Sequence, residues 1–137
     1  MGLRLFFHCS DPRDRADLET KINAVLLAPG EKINRIAVYG GPIVLAHPIV
    51  FREEANTMLR QINFAIENFY PEEIVLVGHD CGFYSTVLSL AKLTLVDKKR
   101  DIIQIRKTLA HRHPQQPIKA LFDVTQGEQV QFEHFAA

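Results

Sequence analysis

The chain has 137 residues, 47% hydrophobic and 23% charged, proportions that suit one packed domain over residues 1–137 and exclude wholesale disorder. Sixteen Lys and Arg balance sixteen Asp and Glu for a formal net charge of +0, which excludes a generally basic coat of the kind that binds nucleic acid. Two cysteines are too few for a secreted disulfide framework, and no apolar run nears the ~20 residues that span a bilayer, so the expectation is a soluble cytoplasmic domain with neither membrane nor nucleic acid as partner.

The amino-terminal stretch Leu3–His8 is too short before Asp11 to serve as a signal peptide. Gly2 invites myristoylation, but Phe6 stands where that motif wants Ser or Thr. Leu3–His8 reads instead as a short hydrophobic strand, stopped by Cys9-Ser10-Asp11-Pro12. Leu18, Ile22 and Val25 recur at helical spacing, and Ala28-Pro29-Gly30 ends that helix. Ile33–Tyr39 is a second strand, broken by Gly40-Gly41-Pro42. From Arg52 to Tyr70 the apolar positions Ala55, Met58, Leu59, Ile62, Ala65, Ile66 and Phe69 trace an amphipathic helix closed by Pro71.

Ile74-Val75-Leu76-Val77, between Glu73 and Gly78, has the continuous apolar character of a strand buried on both faces. Phe83 to about Val96 reads as a buried helix. Asp97–His111 reads as a basic-faced helix with Ile102, Ile105 and Leu109 inward, stopped by Pro114. The tail reads as a hairpin: Ile118–Val124, a turn at Thr125-Gln126-Gly127, then Glu128–Phe135 with Val130, Phe132 and His134 alternating. This order predicts an α/β fold: a central, mostly parallel sheet of about four strands, helices on both faces and a C-terminal hairpin strand.

In such sheets ligands bind outside the carboxyl ends of the strands, at the switch point. Two strand ends carry unusual residues, His8-Cys9-Ser10-Asp11-Pro12-Arg13 and Gly78-His79-Asp80-Cys81-Gly82. If those strands are neighbours, Cys9, Asp11, Arg13, His79 and Cys81 meet in one cleft. Two thiolates and an imidazole form a natural zinc set, and three protein ligands leave the fourth tetrahedral position open for water, as catalytic zinc requires. Helix N-termini just after Cys9 and Cys81 would favour the thiolate forms.

These residues resemble the motifs of the β-class carbonic anhydrases. The family's Cys-x-Asp-x-Arg motif after the first strand stands unchanged as Cys9-Ser10-Asp11-Pro12-Arg13, and its Val-Gly-His…Cys-Gly motif is matched by Val77-Gly78-His79-Asp80-Cys81-Gly82. Pro29-Gly30-Glu31 leading into Ile36-Ala37-Val38, and Leu121-Phe122-Asp123-Val124 with Gly127, are similar to the family's second strand and its carboxyl-terminal hairpin, so the likeness runs over nearly the whole chain in order. It implies Cys9, His79 and Cys81 as ligands of one Zn²⁺. It also implies that Asp11 orients zinc-bound water or takes the metal's fourth position at rest, and that Arg13 holds Asp11. The implied activity is reversible hydration of CO₂ to bicarbonate by zinc-bound hydroxide. The implied assembly is a homodimer or higher homo-oligomer with the site near the subunit interface. Two features differ from the family pattern: one residue rather than two separates His79 from Cys81, and Tyr39-Gly40-Gly41-Pro42 replaces an Arg-Asn-Ala-Gly-like stretch. In an extended segment residues two apart point the same way, so a His-x-Cys pair can still chelate one ion, with Asp80 or His8 as other candidate ligands. A non-catalytic relative, acting as a metal-binding or interaction module, is the alternative.

Plainer readings exist for each feature. Asp11-Pro12 is also a helix cap followed by proline at the first helical position, and a lone cysteine is often simply core. His47 is a candidate proton shuttle or a surface loop residue, while His111 and His113 suit a helix C-terminus better than a metal. Lys98, Lys99, Arg100, Arg106, Lys107 and Arg112 are interleaved with Asp97 and Asp101 and lack stacking aromatics, as on a solvated helix face. Cys9 and Arg15 have the spacing of a cysteine-phosphatase loop, but Asp11 and Asp14 would repel phosphate, Pro12 lacks an N–H, and no glycine eases the wrap.

Overall fold

The computed structural model of the chain describes residues 3–9, 12–31, 33–79, 86–87, 98–126 and 129–135, without the side chains of 12–17 and 19. Strands β1 (Arg4–Cys9), β2 (Ile33–Val38), β3 (Glu73–Gly78), β4 (Ile118–Asp123) and β5 (Phe132–Phe135) form one sheet in the order β2-β1-β3-β4-β5. The first four are parallel and β5 runs antiparallel to β4. Among the described residues the connections carry helices α1 (Pro12–Val25), α2 (Arg52–Phe69) and α3 (Lys98–Arg112) and a 3₁₀ helix at Gly41–Ala46. The chain steps from β1 to β2 in one direction and from β2 through β3 to β4 in the other. Right-handed crossovers therefore place α1 on one face and α2 and α3 on the opposite one. The 3₁₀ helix packs against α2 and α3 and against the ends of β1, β2 and β3.

The two central strands carry the core. Leu5, Phe6 and Phe7 of β1 and Ile74 and Leu76 of β3 are fully buried, so both faces of these strands are covered, and the unbroken apolar run of β3 is the sequence trace of that burial. From the helices, Leu18 and Ile22 of α1, Ala55, Met58, Ile62 and Ala65 of α2, and Ile102, Ile105 and Leu109 of α3 close the two layers. Gly78 lies where a Cβ would sit 3.0 Å from the Phe122 ring; the missing side chain lets that ring pack across β3.

The α/β expectation therefore holds, with corrections in detail. β1 extends through Cys9 instead of stopping before it, and β2 ends at Val38 because the chain turns at Gly40 and Gly41, with φ of 85° and 66°. The Gly-Gly-Pro breaker opens a 3₁₀ helix whose Ile43 and Val44 are buried. Val25, expected inward, ends α1 at 50% exposure, and Phe69 ends α2 at 49%. Phe69 packs edge-on against Phe64, with ring centroids 5.7 Å apart. In the hairpin, Phe132 packs against the core whereas His134 is exposed. Apart from residues 86–87, the helix expected over Phe83–Val96 lies outside the described residues. No helix among the described residues is long and apolar enough to cross a membrane.

Two ion pairs brace opposite poles. At the amino end, Arg4 forms a bidentate pair with Glu31 (2.6 and 2.8 Å) and donates to the Leu26 carbonyl at 2.7 Å, tying β1 to the α1–β2 loop. The Arg4 hydrogen bond, aided by the Ala28 N–H, holds the Glu31 carboxyl below its usual range. Toward the other pole, Lys21 of α1 donates to Asp123 at the end of β4 at 2.9 Å, and the Thr125 N–H donates to the same carboxylate at 2.9 Å. Burial alone pushes Asp123 up. The Thr125 hydroxyl, Lys21 and the Thr125 N–H together outweigh burial and leave the carboxyl below its ordinary value. A carboxyl depressed on folding adds stability above its unfolded pKa and loses it as pH falls through the folded one. Asp123→Asn is expected to cost about 1–3 kcal/mol at pH 7. In thermal melts its deficit against the natural chain should shrink once the pH drops below about 4.

Candidate metal centre

The crevice between β1 and β3 is the switch point of this sheet, because the chain leaves β1 toward β2 and returns on its other side as β3. Arg4–Phe7 pair in parallel register with Glu73–Leu76. Continuing that register sets Cys9 beside Gly78, one residue before His79. Two of the three expected ligands thus stand at the carboxyl ends of adjacent strands. Cys81, Asp11 and Asp80 lie outside the described residues, and Arg13 is described only as backbone within α1. Among the described residues no three His, Cys, Asp or Glu side chains form a metal-holding group.

His79 is 8% exposed, and its buried Nε2 has no hydrogen-bond partner among the described residues. A buried nitrogen left unsatisfied costs ~1–3 kcal/mol, and a metal bond is one way to recover that cost. Cys9 is fully buried, and its Sγ accepts a hydrogen bond from the Gly40 N–H at 3.3 Å. A backbone donor aimed at sulfur stabilises negative charge there, as the outer-shell donors of metal thiolates do. The N-terminus of α1 at Pro12, three residues on, adds the positive end of a helix dipole. A buried imidazole nitrogen in need of a partner and a sulfur supplied with a donor fit a soft divalent ion such as zinc.

The Gly40–Gly41 turn, a strand breaker in the sequence and a departure from the family pattern, is what aims that donor. Both glycines have positive φ, and a Cβ on Gly41 would lie 2.8 Å from the Cys9 nitrogen and 3.0 Å from the His8 carbonyl carbon. Only a residue without a side chain lets the turn close this tightly over the end of β1.

His8 is excluded as the third ligand. It is fully buried. Arg35 donates to its Nε2 at 3.3 Å, while Nδ1 lies 3.0 Å from the Cys9 carbonyl. A guanidinium can only donate, so Nε2 accepts, the proton sits on Nδ1, and both ring nitrogens of a neutral imidazole are engaged. Arg35 also bonds Asn23 of α1. This chain of contacts joins residues 12 and 27 apart in sequence, and the local pattern around His8 carries no sign of it.

The backbone also argues against the phosphatase reading. Ser10 and Asp11 alone stand between β1 and α1 in the sequence, and residues 12–15, Arg15 included, are helical, where such a loop would have to wrap an anion. His47 lies 3.7 Å from Asp101 of α3. In the basic cluster, Lys99 pairs with Glu133 at 2.8 Å, and Arg106 donates to the Ile118 carbonyl at 3.1 Å. No protein-family model matches this sequence, and no curated protein matches it.

Gly41→Ala tests the geometry of the centre. The added Cβ clashes with the Cys9 backbone at a positive φ, and the expected loss is at least about 2 kcal/mol of stability. A lowered melting temperature with reduced zinc retention on dialysis is the expected result.

Proposed function

We propose that this chain is a β-carbonic-anhydrase-like zinc protein that interconverts CO₂ and bicarbonate, with Cys9, His79 and Cys81 holding one zinc ion per chain. The observation that carries this reading is the buried Nε2 of His79 at the switch point, unpartnered among the described residues and one strand from a cysteine sulfur that already receives a backbone donor. Cys9, His79 and Cys81 would hold the zinc, which would supply the Lewis acidity that makes a water nucleophilic near neutral pH. The chain's own residues divide the remaining work. Gly40 holds the Cys9 sulfur in place, Asp11 accepts the hydrogen bond of the reacting water and so sets its orientation, and Arg13 restrains Asp11. In this reading the protein acts in the cytoplasm as a homodimer or higher homo-oligomer.

A second reading keeps the metal and drops the turnover. The single residue between His79 and Cys81, and Gly40-Gly41 in place of an Arg-Asn-Ala-Gly-like stretch, favour a non-catalytic relative that serves as a metal-binding or interaction module.

Elemental analysis after zinc-replete purification separates these outcomes, with one equivalent per chain expected. Cys9→Ser, His79→Ala and Cys81→Ser should each cut zinc affinity by about tenfold or more. Stopped-flow CO₂ hydration by the loaded protein is expected. Full zinc without hydration supports the non-catalytic reading, and less than about a tenth of an equivalent overturns the metal centre.

A further inference from the structure

Helices α2 and α3 share one face of the sheet, and two cavities between them have Arg112 as a common lining residue. The first is a cleft of about 260 Å³. Its apolar lining comes from Leu45 and Ala46 of the 3₁₀ helix, Pro48, Leu59 of α2, and Ile105 and Leu109 of α3. Gln104, Thr108 and Arg112 are its polar side chains among the described residues. These three recur at i, i+4 and i+8, so they form one row along α3, and all are exposed. Ile105 and Leu109 form a neighbouring row that is buried. One helix thus gives the cleft an apolar floor and a polar rim that ends in a cation. The second cavity, of about 460 Å³, lies at the C-terminal ends of both helices, where Tyr70, His113 and Gln116 help to line it.

The charges indicate the occupant. No described residue lining either cavity is an aspartate or glutamate, although acids and bases are equal in number along the chain. Other cations of α3 are engaged, Lys99 with Glu133 and Arg106 with the Ile118 carbonyl. Arg112 pairs with no carboxylate among the described residues. Complementing the dipole at the end of α3 accounts for a cation there, but not for the apolar cleft it lines. A single guanidinium matches a single carboxylate through two parallel hydrogen bonds. From Ile105 to Arg112 the helix rises about 10 Å, the length of an extended chain of about eight carbons. The cleft is smaller than the ~300–1,000 Å³ of drug-sized sites, as a ligand of that size requires.

We propose that the cleft between α2 and α3 binds a medium-chain monocarboxylate, its hydrocarbon chain against Leu59, Ile105 and Leu109 and its carboxylate on Arg112. No residue of the proposed metal centre takes part, so the two sites can be tested apart.

Isothermal titration of the zinc-loaded full chain with sodium octanoate tests the proposal. One saturable site per chain is expected, with a dissociation constant below about 1 mM. From hexanoate to octanoate each methylene should tighten binding about fourfold, and decanoate should gain little more. Octylammonium, with the same chain and the opposite charge, should bind about tenfold more weakly or worse. Arg112→Glu should reverse that preference, losing octanoate and gaining octylammonium. Thr108→Trp, which narrows the cleft, should weaken octanoate with Arg112 still in place. Arg112 and Thr108 are exposed, so circular dichroism and zinc content should match the natural chain in both variants. His79→Ala should bind octanoate as the natural chain does. No saturable binding, or a preference that Arg112→Glu leaves unchanged, would overturn the site. Loss of binding in His79→Ala would overturn it too, by placing the acid on the metal.

Discussion

Parallel pairing of β1 with β3 is the constraint on which the candidate centre depends. Residues 9 and 79 are remote in the chain, and they become neighbours only because β2 is laid down on one side of β1 and β3 on the other. The crossing sets Cys9 and His79 at the carboxyl ends of adjacent strands. Burial of Leu5, Phe6, Phe7, Ile74 and Leu76 fixes the register, since a slip of one residue would exchange side chains between two differently packed layers. The packing of the core and the placing of the site are therefore one requirement.

The Gly40–Gly41 turn refines that placement. It ends β2, starts the 3₁₀ helix and delivers a backbone donor to the Cys9 sulfur. Because the contact is made by backbone, it demands little of side-chain identity beyond the absence of a Cβ. A site whose outer-shell donor is a peptide N–H also has less side-chain entropy to lose than one that relies on a flexible donor.

Much of this was legible in the residues themselves. The apolar run Ile74–Val77 announces a doubly covered strand, the spacing of Ala55, Met58, Ile62 and Ala65 announces α2, and strand–helix alternation yields a parallel sheet with its site at the carboxyl ends. What stayed hidden is what depends on distant parts of the chain. The 3₁₀ helix needs positive φ at two glycines, and no periodic pattern signals it. Engagement of both nitrogens of His8 requires Arg35, 27 residues away. The outward turn of Val25 and Phe69 reflects helices whose last turns outrun the surface they pack on, which periodicity cannot see because it assumes an endless partner.

The brace between Lys21 and Asp123 spans 102 residues of sequence. Contacts of that separation carry the largest loop-closure entropy, so it forms only after the intervening strands have assembled. Interactions made after the folding barrier leave the rate of folding nearly untouched and act on the rate of escape from the native state. The pair works as a late-closing latch: it lengthens the lifetime of the folded chain without guiding the chain to its fold.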